Sequence, residues 1–136
     1  MLRLRNEIVQ YGQEDQLWEV RGEISNSAGN LCLHLIGNLN NYIGKEIGKS
    51  GYVRNREAEF SLKNVPQQQL LSMIEETLAV VEAGLGQLKD SELEKEFPVL
   101  VFEHKTSIEY LLVHLYGHLN YHLGQINYHR RLVGSW

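Results

Sequence analysis

With Cys32 as its only cysteine, the chain cannot form an internal disulfide, so packing alone must hold the fold and an oxidising compartment is not implied. That cysteine sits among Leu31, Leu33, Leu35 and Ile36, which reads as a buried, inert thiol rather than a reactive one. There is no basic tract and no alternation of basic and aromatic residues, and 17 acidic against 13 basic side chains leave a net charge of -4. A nucleic-acid partner is therefore not expected. Nor does any stretch approach the ~18 uninterrupted apolar residues of a membrane span, and the amino terminus carries no apolar signal run. The expectation is a soluble, cytoplasmic protein without a membrane partner. Its 136 residues, 43% of them apolar, can bury one core but not two, which predicts one domain spanning 1–136.

What the chain does contain is a stretch that nearly occurs twice. Leu31 to Gly44 reads LCLHLIGNLNNYIG and Leu111 to Gly124 reads LLVHLYGHLNYHLG, sharing His-Leu-x-Gly in register. The first copy carries His34, Asn38 and Tyr42 where the second carries His114, His118 and His122. Residues four apart stand one helical turn from each other on one face, so each copy presents a polar column.

Caps and breakers around these stretches predict four long helices. The first covers about residues 2–20, although Gly12 weakens its middle, and the segment 22–27 breaks it. Asn26 or Ser27 caps a second helix over 27–47, followed by a polar connection over 48–64. Pro66 suits the first turn of a third helix over 66–88, because its missing N–H costs nothing there. A connection over 89–105 holds Pro98 to Phe102, which reads as an extended cover. Thr106 with Glu109 makes a capping box for a fourth helix over 106–132, stopped by Gly134. The predicted fold is all-α, a four-helix bundle, with connections longer than a minimal up-and-down topology needs. Gly37, Gly44, Gly117 and Gly124 recur in both copies, which suggests that the second and fourth helices approach closely there.

His118-x-x-x-His122 can aim two imidazoles at one cation, and neutral imidazole suits Zn, Ni, Cu or Fe. His34 supplies a third ligand if the two copies face each other, leaving positions for water or substrate. The alternative is a seam of half-buried, hydrogen-bonded histidines.

Three segments carry a wider resemblance. Asn30 to Gly44 with the preceding S-N-S-A-G, the run Arg54-Asn55-Arg56-Glu57-Ala58-Glu59-Phe60, and His118 to Ile126 (H-L-N-Y-H-L-G-Q-I) resemble the DinB/YfiT superfamily, in its uncharacterised DinB-like branch. The resemblance covers nearly the whole chain. It implies a DinB-like four-helix bundle in which His34, His118 and His122 match the three metal-binding histidines, with a divalent ion, nickel or zinc, and water in the remaining positions. It also implies a homodimer, for which apolar residues on the first or third helix would supply the interface. Characterised relatives of the fold include thiol-dependent transferases and a maleylpyruvate isomerase. A metal-dependent transferase using a low-molecular-weight thiol and a small-molecule substrate is thus one expectation. A noncatalytic metal-binding or stress-related interaction protein is the other, and a plain bundle without metal is a third.

Around the three histidines the expected roles are these. Arg54 or Arg56 would point into the mouth of the site and bind a carboxylate, with a glutamate of the same segment holding its guanidinium. Asn38 would present its amide to a polar ligand or join two helices, and Gln125 would hydrogen-bond across the bundle. His114 would orient a ligand or serve as a supporting hydrogen-bond partner. His129 reads as structural, and His104 carries no pattern.

Overall fold

The computed structural model describes residues 1–134, and no strand is present among them. Five α-helices are formed: α1 Leu2–Val9, α2 Ala28–Leu39, α3 Arg56–Ser61, α4 Gln67–Gly86 and α5 Ile108–Val133. The four longer ones make an all-α bundle. In it α1 and α2 each pack against both α4 and α5.

α2 is the central element, and every residue from Ala28 to Leu39 is buried. Ser27 caps it, its hydroxyl accepting from the Asn30 backbone N–H. Beyond Leu39 the helix widens into a π-helical turn, Asn40–Ile47, with Gly48 N donating to Ile43 O at 2.9 Å. Asn40 holds the widened turn to α4 by donating from Nδ2 to Thr77 Oγ1 at 2.8 Å. Such widened turns recur beside functional sites, and this one takes in Tyr42, the last member of the first polar column.

Two apolar clusters show how α2 lies on α5. Leu39 and Ile43 share one cluster with Leu111 and Leu115, near the start of α5. Leu31, near the start of α2, shares the other with Ile126 and Val133, near the end of α5. The two helices are therefore antiparallel, and their His-bearing middles lie side by side.

Several expected boundaries are corrected. The first helix stops at Val9 instead of reaching residue 20; the chain turns back so that Tyr11, Leu17 and Trp18 all enter the core, the last two from a 3-10 turn, Asp15–Trp18. Trp18 lies so close to α2 that a Cβ on Gly29 would fall 2.7 Å from its ring. The 48–64 connection contains α3, capped by Asn55, whose side chain accepts from Ala58 N. At the start of α5 the cap is Ser107, accepting from Tyr110 N at 3.1 Å, in place of the Thr106–Glu109 box. Of the Pro98–Phe102 piece, only Val101 and Phe102 cover the core, half-buried against the cluster of Leu111 and Leu115, while residues 98 to 100 are exposed; Phe97, just before it, is buried beside a bridge between Glu96 and Ser107. The bulky exposed apolar side chains gather on α5, at Tyr110, Val113, Tyr116, Tyr121 and Tyr128, more than on the first or third long helix. Among the described residues no helix is long and apolar enough to cross a membrane.

Candidate metal centre

The antiparallel contact of α2 and α5 sets the repeated columns against each other. His34 Nε2 lies 3.1 Å from His118 Nε2, and the His34 ring stands edge-on to both His118 and His122, at centroid separations of 5.0 and 5.2 Å. One ligating nitrogen from each of the three rings lies within 4.8 Å of the others. Two metal–nitrogen bonds of ~2.1 Å span about 3.0–3.4 Å between octahedral and tetrahedral angles. The His34–His118 separation falls in that range.

The orientation of His34 is set from α3. Glu59 Oε1 accepts from His34 Nδ1 at 3.0 Å, which puts the proton on Nδ1 and leaves the Nε2 lone pair facing His118. Glu59 is in turn gripped by Arg54, which donates from Nε to Oε2 at 2.8 Å and from Nη2 to Oε1 at 2.9 Å. Burial pushes the Glu59 pKa up, but hydrogen bonds from His34 and Arg54 and the charge of Arg54 outweigh it, and the carboxyl rests below its ordinary value. The buried carboxylate is thus ionised, paired and hydrogen-bonded on both oxygens.

Gly37 makes room for this. A Cβ there would fall 2.0 Å from Glu59 Oε2. Asn30 anchors the same α3 segment by donating from Nδ2 to Glu59 O at 3.0 Å and to Leu62 O at 2.8 Å. The expected approach of α2 and α5 at the shared glycines is corrected accordingly: Gly37 faces Glu59, Gly44 faces Val80 of α4, and Gly117 and Gly124 have open space where a Cβ would sit.

On α5, Gln125 Oε1 accepts from His122 Nδ1 at 2.7 Å, which fixes the opposite nitrogen of that ring as the lone-pair donor. Gln125 therefore acts on its own helix, one turn from His122, and does not bridge the bundle as expected. The His118 pKa is pushed down to about 4, chiefly by burial and then by neighbouring His122, His34, His114 and Arg54. Burial likewise lowers that of His122, against the opposing hydrogen bond it donates to Gln125. Neutral rings with free Nε2 lone pairs are the form a cation requires.

Without a cation, the facing Nε2 atoms need one proton between them. Since His34 carries its proton on Nδ1, His118 Nε2–H is the donor, and His118 Nδ1 becomes a bare nitrogen; it is buried and has no partner among the described residues. Asn38 Oδ1 is also buried and without a partner, on the side of α2 shared with His34 and opposite Asn40. Three imidazole nitrogens converging beside an unsatisfied buried edge fit a metal site in chemistry and in spacing.

The remaining candidates separate clearly. Arg54 lies inside the network, its guanidinium 5.9 Å from the Tyr42 ring, whereas Arg56 is exposed on α3. His114 is exposed and packs edge-on against Phe102, with ring centroids 4.7 Å apart. His129 is buried between Tyr11, whose hydroxyl lies 2.8 Å from Nδ1, and Glu19 O, 2.8 Å from Nε2, at the far end of the bundle. His104 is exposed. Cys32 is fully buried, and burial pushes its thiol up to about 12. The bond between His34 and Glu59 is the part that sequence reasoning missed. Its available signal was Gly37, about one turn after His34 and set between Ile36 and Asn38 in the middle of the helix.

A family model described as "Protein of unknown function (DUF1572)" matches residues 3–135. The chain belongs to the DUF1572 family. No curated protein and no solved structure matches it. All three histidines, and the Glu59–Arg54 pair behind them, fall within the matched part of this DUF1572 chain.

Proposed function

We propose that this DUF1572 protein is a DinB-like divalent-metal-binding protein in which His34, His118 and His122 hold the ion, nickel or zinc, through their Nε2 atoms. The observation that carries the reading is the facing pair of Nε2 atoms at 3.1 Å, with His34 held in the required tautomer by a buried carboxylate. Three protein ligands leave at least one position for an exogenous molecule. A divalent ion in such a site lowers the pKa of a bound water or thiol and polarises an electrophile.

The chain's own contribution is orientation. Glu59 and Arg54 fix His34, Gln125 fixes His122, and burial keeps His118 neutral. A transferase acting with a small thiol is the enzymatic form of this proposal. Arg54 turns the Nε–Nη2 edge of its guanidinium to Glu59, which leaves its Nη1 donors for the carboxylate-anchoring role expected of it, while Arg56 is exposed on α3. No side chain in the cluster is placed as a covalent nucleophile, since the Cys32 thiol is sealed in the core. A homodimer belongs to the same proposal, with exposed Tyr110, Val113 and Tyr116 near the start of α5 as its surface; light scattering should return twice 15.7 kDa.

The test is elemental analysis of protein purified without a metal-affinity column, beside His34→Ala, His118→Ala and His122→Ala. Near-stoichiometric metal in the parent and sharp loss in each variant is expected. Undiminished affinity and stoichiometry in all three variants would reject the proposal. Metal-dependent conjugation of small thiols to electrophiles, absent in His118→Ala, would establish the enzymatic form over a noncatalytic one.

A further inference from the structure

A cavity of about 540 Å³ lies on the outer side of the histidine cluster, and His122 and Gln125 belong to its wall. Its volume falls within the roughly 300–1,000 Å³ of small-molecule sites. Ile24 and Leu31 from one side and Tyr121, Tyr128 and Leu132 of α5 from the other make its wall largely apolar. Among the described residues Glu23 is the one acidic or basic residue on it apart from the histidines, and no lysine or arginine lines it; Arg54 bonds to Glu59 behind His34.

Resting on the metal-binding reading above, we propose that this cavity receives an uncharged aromatic or branched aliphatic group of a ligand whose polar head occupies the open position of the metal. His122 is the hinge of the argument, because its ring belongs both to the three-histidine cluster and to the cavity wall. A head group at the cluster and a tail alongside His122 then form one continuous binding site. The tail gains from covering apolar wall, and the tyrosine rings offer edges and faces for an aromatic group. An acidic tail gains nothing here: it would meet Glu23 with no cation to offset it. The specificity inferred is opposite to that of a carboxylate-anchoring site.

The experiment uses the cobalt(II)-loaded full chain and three probes with the same metal-binding head: acetohydroxamate, benzohydroxamate and 4-carboxybenzohydroxamate. Affinity is read from the visible cobalt spectrum. Benzohydroxamate should bind about tenfold or more tighter than acetohydroxamate, in keeping with burial of a phenyl group, and the added carboxylate should erase that gain. Tyr121→Asp, a change at a position 66% exposed and beside His122 on the cavity wall, should abolish the phenyl advantage while leaving the cobalt spectrum and acetohydroxamate affinity unchanged. Equal affinity for the phenyl and methyl probes, tighter binding of the carboxylated probe, or a phenyl advantage that survives Tyr121→Asp would each overturn the proposal with the metal reading intact. Absence of any cobalt spectrum in the parent protein would overturn the metal reading, and this proposal with it.

Discussion

The bond between His34 Nδ1 and Glu59 Oε1, 3.0 Å long, determines which nitrogen of the central histidine faces α5. Glu59 reaches it from a six-residue helix, held by Arg54 on one side and admitted by Gly37 on the other. Orientation of a ring on α2 thus depends on a residue 25 positions away.

Replacing Glu59 tests that dependence. Glu59→Gln should lower metal affinity about 10–100-fold, as loss of a ligand's supporting partner does, measured by competition with a chromophoric chelator. Glu59→Ala also strands the Arg54 guanidinium, and should destabilise the fold by about 3 kcal/mol or more in urea unfolding. Unchanged affinity in Glu59→Gln would show that His34 needs no such partner.

The glycines of the two similar stretches should respond in opposite ways. Gly37→Ala places a methyl where Glu59 Oε2 lies, so stability and metal affinity should both fall. Gly117→Ala and Gly124→Ala add a methyl to open space within α5 and should stabilise by about 0.5–1 kcal/mol each. Thermal melts of the three variants decide the matter. Equal effects would sink the distinction.

Acid should weaken the metal-free protein through His118. Its pKa drops from 6.5 to about 4 on folding, so the unfolded chain takes up the proton first. The stability associated with the neutral ring is complete above 6.5, declines as pH falls toward 4, and changes no further below that. Glu59, whose pKa is lowered from 4.5, contributes a separate loss that begins only near 4.5 and continues as pH falls further. Urea unfolding from pH 7 to 4.5 should therefore show a smaller decline in His118→Gln than in the parent. Parallel curves would contradict the assignment.

Asn38 carries a buried acceptor with no donor. Asn38→Leu should be neutral or stabilising in the metal-free protein, since leaving such a group unsatisfied costs about 1–3 kcal/mol. The same change should weaken metal binding if the Asn38 amide supports His118 once that ring carries its proton on Nδ1. Chelator competition alongside thermal melting separates the two effects, and a clear loss of metal-free stability would count against the first.

The long helices, a cap at Asn26 or Ser27, the burial of Cys32 and the four-residue spacing within each His-bearing column were legible along the chain. Each depends on residues within a few turns, where periodicity and caps act directly. The length of α1 was misjudged because Tyr11, Leu17 and Trp18 suit a helix by pattern but enter the core only if the chain reverses after Val9. The small helix carrying Glu59 was hidden in a polar connection, since six residues are too few to announce a period.

The sequence by itself determined that this chain is helical and that three imidazoles stand on two faces able to meet, because turn-to-turn spacing is a local property of the backbone. Tertiary structure decided the rest. Only the antiparallel packing of α2 on α5 brought His34 to His118, and only the return of α3 across Gly37 put a carboxylate behind His34 and turned one edge of Arg54 onto it. Distance and tautomer depend on contacts between segments far apart in the chain, and no local pattern encodes them.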